Sequence, residues 1–155
     1  MESIKHELWI DAQPERVYEL LSSAEGISKW WDKQTERQTP EGTVFEHSPG
    51  PEHGTVQFLI LETIENSLVR WRCISEHPQN TPASDWTNTE MSFRLGRREI
   101  SEVATEKWAS EIPVKTVLRF EHSGWKDEAK HLPFCSYAWA EVLSNLSKAA
   151  AESSG

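Results

Sequence analysis

The strongest constraint on the fold is a change in hydrophobic period close to the C-terminus. In "LRFEHSGW" apolar and polar positions alternate, so Leu118, Phe120 and His122 share one face of a predicted strand. In "PFCSYAWAEVLSNLSKAAAE" the apolar positions instead recur every three or four residues, which predicts an amphipathic helix. The stripe on this helix consists of Cys135, Trp139, Val142, Leu143, Leu146 and Ala150. Both apolar surfaces need a cover, and the simplest packing places the strand face against the helix stripe.

Alternation also runs through the middle of the chain and predicts an antiparallel meander. The segments "TVFEH", "TVQFLILETIE", "LVRWRCIS" and "TEMSFRL" follow one another with polar or turn-forming residues between them. We expect "NS" to form a two-residue turn between the second and third of these segments. In the second segment, the residues expected to share one face are Val56, Phe58, Ile60 and Ile64.

The N-terminal part of the chain predicts one strand followed by two short helices. "SIKHELWI" alternates, whereas "DAQPERVYELLSS" places Pro14 at the first position of a helix and Gln13 at its N-cap. "AEGISKWWDKQ" predicts a second short helix or turn that ends on Trp30 and Trp31. Helices this short are unstable alone, so we expect both to pack on the sheet.

These elements together predict an α+β fold in one domain, residues 1–155, with a polar tail from about residue 152. A curved antiparallel sheet wraps around the long C-terminal helix, and the two short helices after the first strand cover one mouth. Such an arrangement tends to leave a gap in which a pocket forms. Residues 96–114 have no clear period and could extend a hairpin, form a short helix or form a loop.

Composition disfavours several classes of partner. The net charge is −9 and no segment is rich in Lys or Arg, so we expect neither nucleic acid nor an anionic membrane surface as partner. No apolar stretch is long enough to span a membrane, and "MESIKHELW" does not resemble a signal peptide. Cys73 and Cys135 are expected to be reduced, packed thiols, which indicates a cytoplasmic protein.

Several segments, in this order, resemble the START-like (SRPBCC) superfamily. They are "IDAQPERVYELLSS" with "ISKWW", "ETIENSLVRWRC", and "LRFEHSGW" with "YAWAEVLSNLSK". The ending is most similar to the branch related to the C-terminal domain of the heat-shock-protein-90 ATPase activator. The resemblance runs from about residue 4 to residue 150 and implies a helix-grip fold with a hydrophobic cavity between the sheet and the last helix. At residues 96–114 the connection is longer than the family's, at one cavity entrance.

The resemblance implies that the cavity binds a small hydrophobic or amphipathic ligand. One alternative is a co-chaperone-like module that acts in the stress response by stimulating a heat-shock-90-type ATPase. A second alternative is a cyclase-type or hydrolase-type enzyme that acts in the same cavity. Convergent titratable groups in the cavity would favour the enzyme, whereas an apolar lining would favour the binding module.

Aromatic residues are the main candidates for the cavity lining. Trp30 and Trp31 fall where the family's short helices meet the cavity mouth, and they could form an aromatic gate or a hydrophobic plug. The strand aromatics are expected to face inward, most of them as core and some as lining. The candidate ligand-binding residues are Trp30, Trp31, Phe45, Phe58, Trp71, Phe93, Phe120, His122 and Trp139.

His122 is a titratable group on an otherwise apolar strand face. It could donate a hydrogen bond to a ligand or act as a base whose pKa is tuned by its surroundings. Alternatively, it could bond a backbone carbonyl and hold the turn at Ser123–Gly124. We favour this structural interpretation because buried histidines usually find a local partner.

Metal binding and nucleophilic catalysis have little support in the sequence. The pairs His47 with His53 and His122 with His131 lack zinc-like spacing to Cys or carboxylates. The sequence contains no nucleophile-elbow motif and no glycine-rich phosphate loop. We therefore predict no catalytic residue, no metal and no cofactor.

Overall fold

In the part of the chain that the structure describes, seven antiparallel strands form one sheet that curves around a long C-terminal helix. This computed structural model describes residues 2–50, 54–97 and 115–152. The strands are β1 (Glu2–Ile10), β2 (Thr35–Thr39), β3 (Gly42–His47), β4 (Val56–Ile64), β5 (Leu68–Cys73), β6 (Glu90–Arg97) and β7 (Thr116–Trp125). Their order across the sheet is β1-β7-β6-β5-β4-β3-β2. The predicted α+β helix-grip fold is confirmed.

The C-terminal helix α3 (Leu132–Glu152) buries one stripe against the sheet. Its buried residues are Cys135, Trp139, Leu143, Leu146 and Ala150, which recur every three or four positions as the sequence predicts. Val142, also assigned to this stripe, is only half-buried because it lies at the edge of the stripe, next to a cavity.

Two short helices, α1 (Pro14–Leu21) and α2 (Ala24–Ile27), follow β1 as predicted. Pro14 begins α1, and Gln13 occupies the N-cap position, but the Gln13 side chain makes no capping hydrogen bond. Its amide oxygen instead accepts a hydrogen bond of 2.7 Å from Arg97 Nη1 at the end of β6. This long-range contact ties the start of α1 to the sheet.

The edge strand β2 was not predicted from the sequence. Its five residues, "TERQT", are all polar, and four of them are exposed. Among the described strands β2 pairs only with β3. Because it buries neither face, it has no hydrophobic alternation that would reveal it.

The prediction for the end of β4 was wrong. The pairing of β4 with β5 shifts register between Ile60 and Glu62, so the alternation of faces is interrupted there. Ile64, which was expected to face inward, is 49% exposed. The turn that follows also differs, because residues 65–67 connect the strands and Asn66 takes a left-handed φ of 61° in place of the expected two-residue "NS" turn.

Two sequence expectations fall largely outside the described residues. In the segment 96–114, only Gly96 and Arg97 belong to a described element, the end of β6. The described part of α3 ends at Glu152, where the polar tail was expected to begin.

Candidate functional site

A cavity of about 280 Å³ lies between α3, the β3–β4 end of the sheet and the loop before β6. That loop contains a 3₁₀ helix, Pro82–Asp85, followed by Trp86. The lining is almost entirely apolar. The described lining residues are Trp31, Asp32, His47, Pro49, Val56, Pro82, Ala83, Trp86, Phe134, Ala138, Trp139 and Val142.

The helix contributes to this lining through a second stripe next to its buried one. Phe134, Ala138 and Val142 are spaced four residues apart and therefore lie above one another on the helix surface. Ala138 is small, which leaves room beside it. Phe134 is 55% exposed and stands at the rim.

Three tryptophans form the aromatic walls of the cavity. The Trp86 and Trp139 rings are stacked, with centroids 5.8 Å apart and an interplanar angle of 11°. The Trp31 ring packs against Trp139 at 5.0 Å and against Trp86 at 6.4 Å. Wide, flat surfaces of this kind suit an apolar or aromatic guest.

Buried hydrogen bonds hold two of these walls in place. Trp139 Nε1 donates to His122 Nδ1 at 3.0 Å, and the Trp86 indole N–H donates to Cys135 Sγ at 3.3 Å. The Thr89 hydroxyl donates to the backbone carbonyl of Trp86. Both indole N–H groups are thereby satisfied within the protein.

His122 lies behind the wall and does not line the cavity. Because its Nδ1 accepts from Trp139, the ring proton is assigned to Nε2, which donates to Thr89 Oγ1 at 2.7 Å. Burial lowers the pKa of His122 to about 3, so the ring is neutral. The backbone carbonyl of His122 accepts the indole N–H of Trp125 at 2.9 Å.

The expected bond from the His122 ring to a backbone carbonyl is replaced by these two side-chain bonds. The ring partners are Thr89, which directly precedes β6, and Trp139 of α3, so the imidazole of β7 joins three parts of the fold. This arrangement positions the wall and supports the structural interpretation of His122.

Among the described lining residues, His47 is the one polar side chain that is buried. Its Nδ1 lies 3.2 Å from Gln34 Oε1, while Gln34 Nε2 donates to the backbone carbonyl of Asp32 at 2.9 Å. This pattern assigns the imidazole proton to Nδ1 and leaves Nε2 as an acceptor that bonds no described residue. Burial lowers the pKa of His47 to about 4, although the negative charge of Asp32 acts in the opposite direction.

Of the predicted lining residues, the structure brings Trp31 and Trp139 to the cavity. Trp30 packs beneath Trp31 and donates its indole N–H to the Leu20 carbonyl at 2.7 Å. These contacts support the interpretation of Trp30 as part of a hydrophobic plug. The remaining strand aromatics form a buried layer below the walls. That layer comprises Phe45, Phe58, Trp71, Phe93 and Phe120.

Sequence reasoning missed several lining residues, most importantly His47 and Trp86. His47 was considered only as a metal ligand with His53, which lies outside the described residues. The spacing of Phe45 and His47 in "TVFEH" was a usable signal, because residues two apart in a strand share a face. Trp86 lies in a polar loop that carries no periodic pattern.

Neither a metal cluster nor a membrane span is found in residues 2–50, 54–97 and 115–152. No three His, Cys, Asp or Glu side chains there are grouped closely enough to hold a metal ion. No helix there is long and apolar enough to cross a membrane. Cys73 and Cys135 are both free and buried.

Comparison with known families shows to which family the chain belongs. The sequence pattern of the family described as "Activator of Hsp90 ATPase homolog 1-like protein" matches residues 11–151. The chain belongs to this family. The match includes every described residue that lines the cavity, and it confirms the resemblance to this branch of the START-like superfamily.

Solved structures share the same fold. The Aha1 dimer from Colwellia psychrerythraea is 25% identical, with 100% of both chains covered and a TM-score of 0.74. A protein of Mesorhizobium loti is 17% identical over 98% of each chain, with a TM-score of 0.72. CalU16 from Micromonospora echinospora is 15% identical over 95% of this chain and 74% of its own, with a TM-score of 0.65. A comparison with curated proteins finds no significant match.

Proposed function

We propose that this member of the Hsp90 ATPase activator-like family binds a small apolar or amphipathic molecule in its internal cavity. The observation that carries the proposal is an apolar cavity of about 280 Å³ whose tryptophan walls are held by buried hydrogen bonds. Walls that are already in place lose little conformational entropy when a ligand binds. Affinity would come mainly from the apolar area that the ligand removes from water.

The lining supports binding more strongly than catalysis. Among the described lining residues, His47 and Asp32 are the titratable ones. The lowered pKa of His47, about 4, makes its imidazole a weak base at neutral pH. Asp32 is exposed at the rim. A cytoplasmic location is part of the proposal and is supported by the two free thiols.

The first test is native mass spectrometry of freshly purified protein, followed by a thermal-shift screen of apolar compounds. A compound that binds the folded state should raise the unfolding midpoint with concentration, by about 2.7 kcal/mol of stabilisation at one hundred times its Kd. The screen should be repeated on Ala138→Leu, which fills the cavity from α3, and on Ala140→Leu, an exposed position of the same helix.

We expect ligand stabilisation in the wild type and in Ala140→Leu but not in Ala138→Leu. An empty protein that no apolar compound stabilises would overturn the proposal. Equal stabilisation of both variants would also overturn it, because the ligand would then bind elsewhere.

A second candidate function is contact with a heat-shock-90-type ATPase. It is favoured by the family and by Phe134 and Tyr137, which are 55% and 64% exposed on adjacent turns of α3. Exposed aromatic side chains are enriched at protein interfaces. Tyr137→Ser should reduce retention of the purified ATPase in a pull-down at low and at high salt. Absence of specific retention of the wild type at any salt concentration would exclude this function.

A further inference from the structure

The polar groups of the cavity are of two kinds, an uncharged acceptor and a negative charge. His47 uses Nδ1–H on Gln34, so the ring nitrogen that remains is the acceptor Nε2. Asp32 also lines the cavity and is exposed, and its negative charge acts on the His47 imidazole. No Lys or Arg belongs to the described lining, and the chain as a whole carries a net charge of −9.

Gln34 connects the backbone of Asp32 to the His47 ring and fixes which ring nitrogen carries the proton. The Asp32 carbonyl accepts from Gln34 Nε2, and Gln34 Oε1 faces His47 Nδ1. Since the Gln34 amide nitrogen is committed to a carbonyl, its oxygen keeps the His47 proton on Nδ1. Nε2 could therefore donate only if the ring took up a second proton and became charged. A charged ring is disfavoured there because the imidazole packs against the aromatic rings of Trp31, at 4.8 Å, and Phe58, at 5.7 Å.

The size of the cavity limits the apolar body of the guest. An apolar cavity of about 150 Å³ accommodates benzene. The cavity here, at about 280 Å³, is nearly twice as large and has flat indole walls. A fused two-ring body is matched to both its volume and its shape.

We propose that the cavity selects ligands with an apolar body of about two rings and a hydrogen-bond-donating head that carries no negative charge, and that it discriminates against acids. This inference rests on the proposed binding function. A hydroxyl head would donate to His47 Nε2 and satisfy it. A carboxylate head would find no donor at this nitrogen and would meet the charge of Asp32.

The test is isothermal titration calorimetry at neutral pH with 2-naphthol, 2-methylnaphthalene and 2-naphthoate, which share one ring system. We expect 2-naphthol to bind at least about tenfold more tightly than 2-naphthoate because of the charge at the rim. In His47→Phe the ratio of affinities for 2-naphthol over 2-methylnaphthalene should fall about fivefold, since one hydrogen bond is removed.

Asp32→Asn tests the charge separately at an exposed position where folding is not at risk. It should strengthen binding of 2-naphthoate, whereas Glu41→Gln, an exposed residue that does not line the cavity, changes net charge equally and should leave binding unaltered. Binding of 2-naphthoate as tight as that of 2-naphthol would overturn the inference and leave the proposed function standing. If none of the three probes binds, and the thermal-shift screen gives the same result for Ala138→Leu as for the wild type, both this inference and the proposed binding function are overturned.

Discussion

His122 and His47 both occupy inward positions of strands and pack among aromatic rings, yet they differ in how their nitrogens are used. Both ring nitrogens of His122 are bonded to other side chains, one to Thr89 and one to Trp139. His47 bonds Gln34 through one nitrogen and lines the cavity. Residue type and strand face are the same for both histidines. The hydrogen-bond partners that the tertiary structure brings to each ring therefore distinguish the structural histidine from the candidate binding residue.

The largest expected effect comes from replacing the two histidines in parallel. His122→Leu leaves the buried Trp139 N–H without an acceptor and breaks the link to Thr89, so the free energy of unfolding should fall by about 3 kcal/mol. His47→Leu removes one bond at the cavity edge and should cost about 1 kcal/mol. Urea denaturation with comparable m-values measures both. A loss in His122→Leu no greater than in His47→Leu would refute the distinction.

A matched pair of tryptophan variants measures the contribution of the Trp139–His122 hydrogen bond. Trp139→Phe and Trp71→Phe delete the same atoms from buried rings, but only Trp139 donates its N–H to a described residue. Trp139→Phe should therefore destabilise the protein by about 1–2 kcal/mol more, because His122 Nδ1 loses its donor. Thermal and urea unfolding of both variants provide the comparison. Equal losses would mean that the Trp139–His122 bond contributes little.

A further expected effect concerns the pH dependence of stability. The ordinary histidine pKa is 6.5, and folding lowers it to about 3 for His122 and about 4 for His47. The unfolded chain then binds more protons, so stability is complete above pH 6.5 and is lost as the pH falls toward the folded values. Each histidine contributes a slope that approaches about 1.4 kcal/mol per pH unit.

His47→Phe should therefore remove about half of this histidine slope below pH 6.5. Urea unfolding at several pH values above the carboxylate range isolates the effect. An unchanged slope in the variant would show that His47 titrates alike in both states.

Periodic patterns predicted the sheet and α3 because one-sided burial imprints alternation on strands and a stripe on helices. The same reasoning failed for β2, whose residues are polar throughout, and for Ile64, which lies beyond a register shift in a strand that is apolar on both faces. Within the site, Trp31 and Trp139 could be named from the sequence and the family resemblance. Trp86 could not, because it is brought to the cavity by a polar loop rather than by a periodic element.

The sequence by itself determined the number of large aromatic side chains, the faces of most strands and the apolar stripe of α3. These properties are local, since they depend on residues a few positions apart. The tertiary structure alone decided the role of each histidine, because the partners of His122 lie 33 and 17 residues away and meet it only when β6 pairs with β7 and α3 docks. The assignment of each ring proton, and with it the chemistry that the cavity offers a ligand, follows from those long-range contacts.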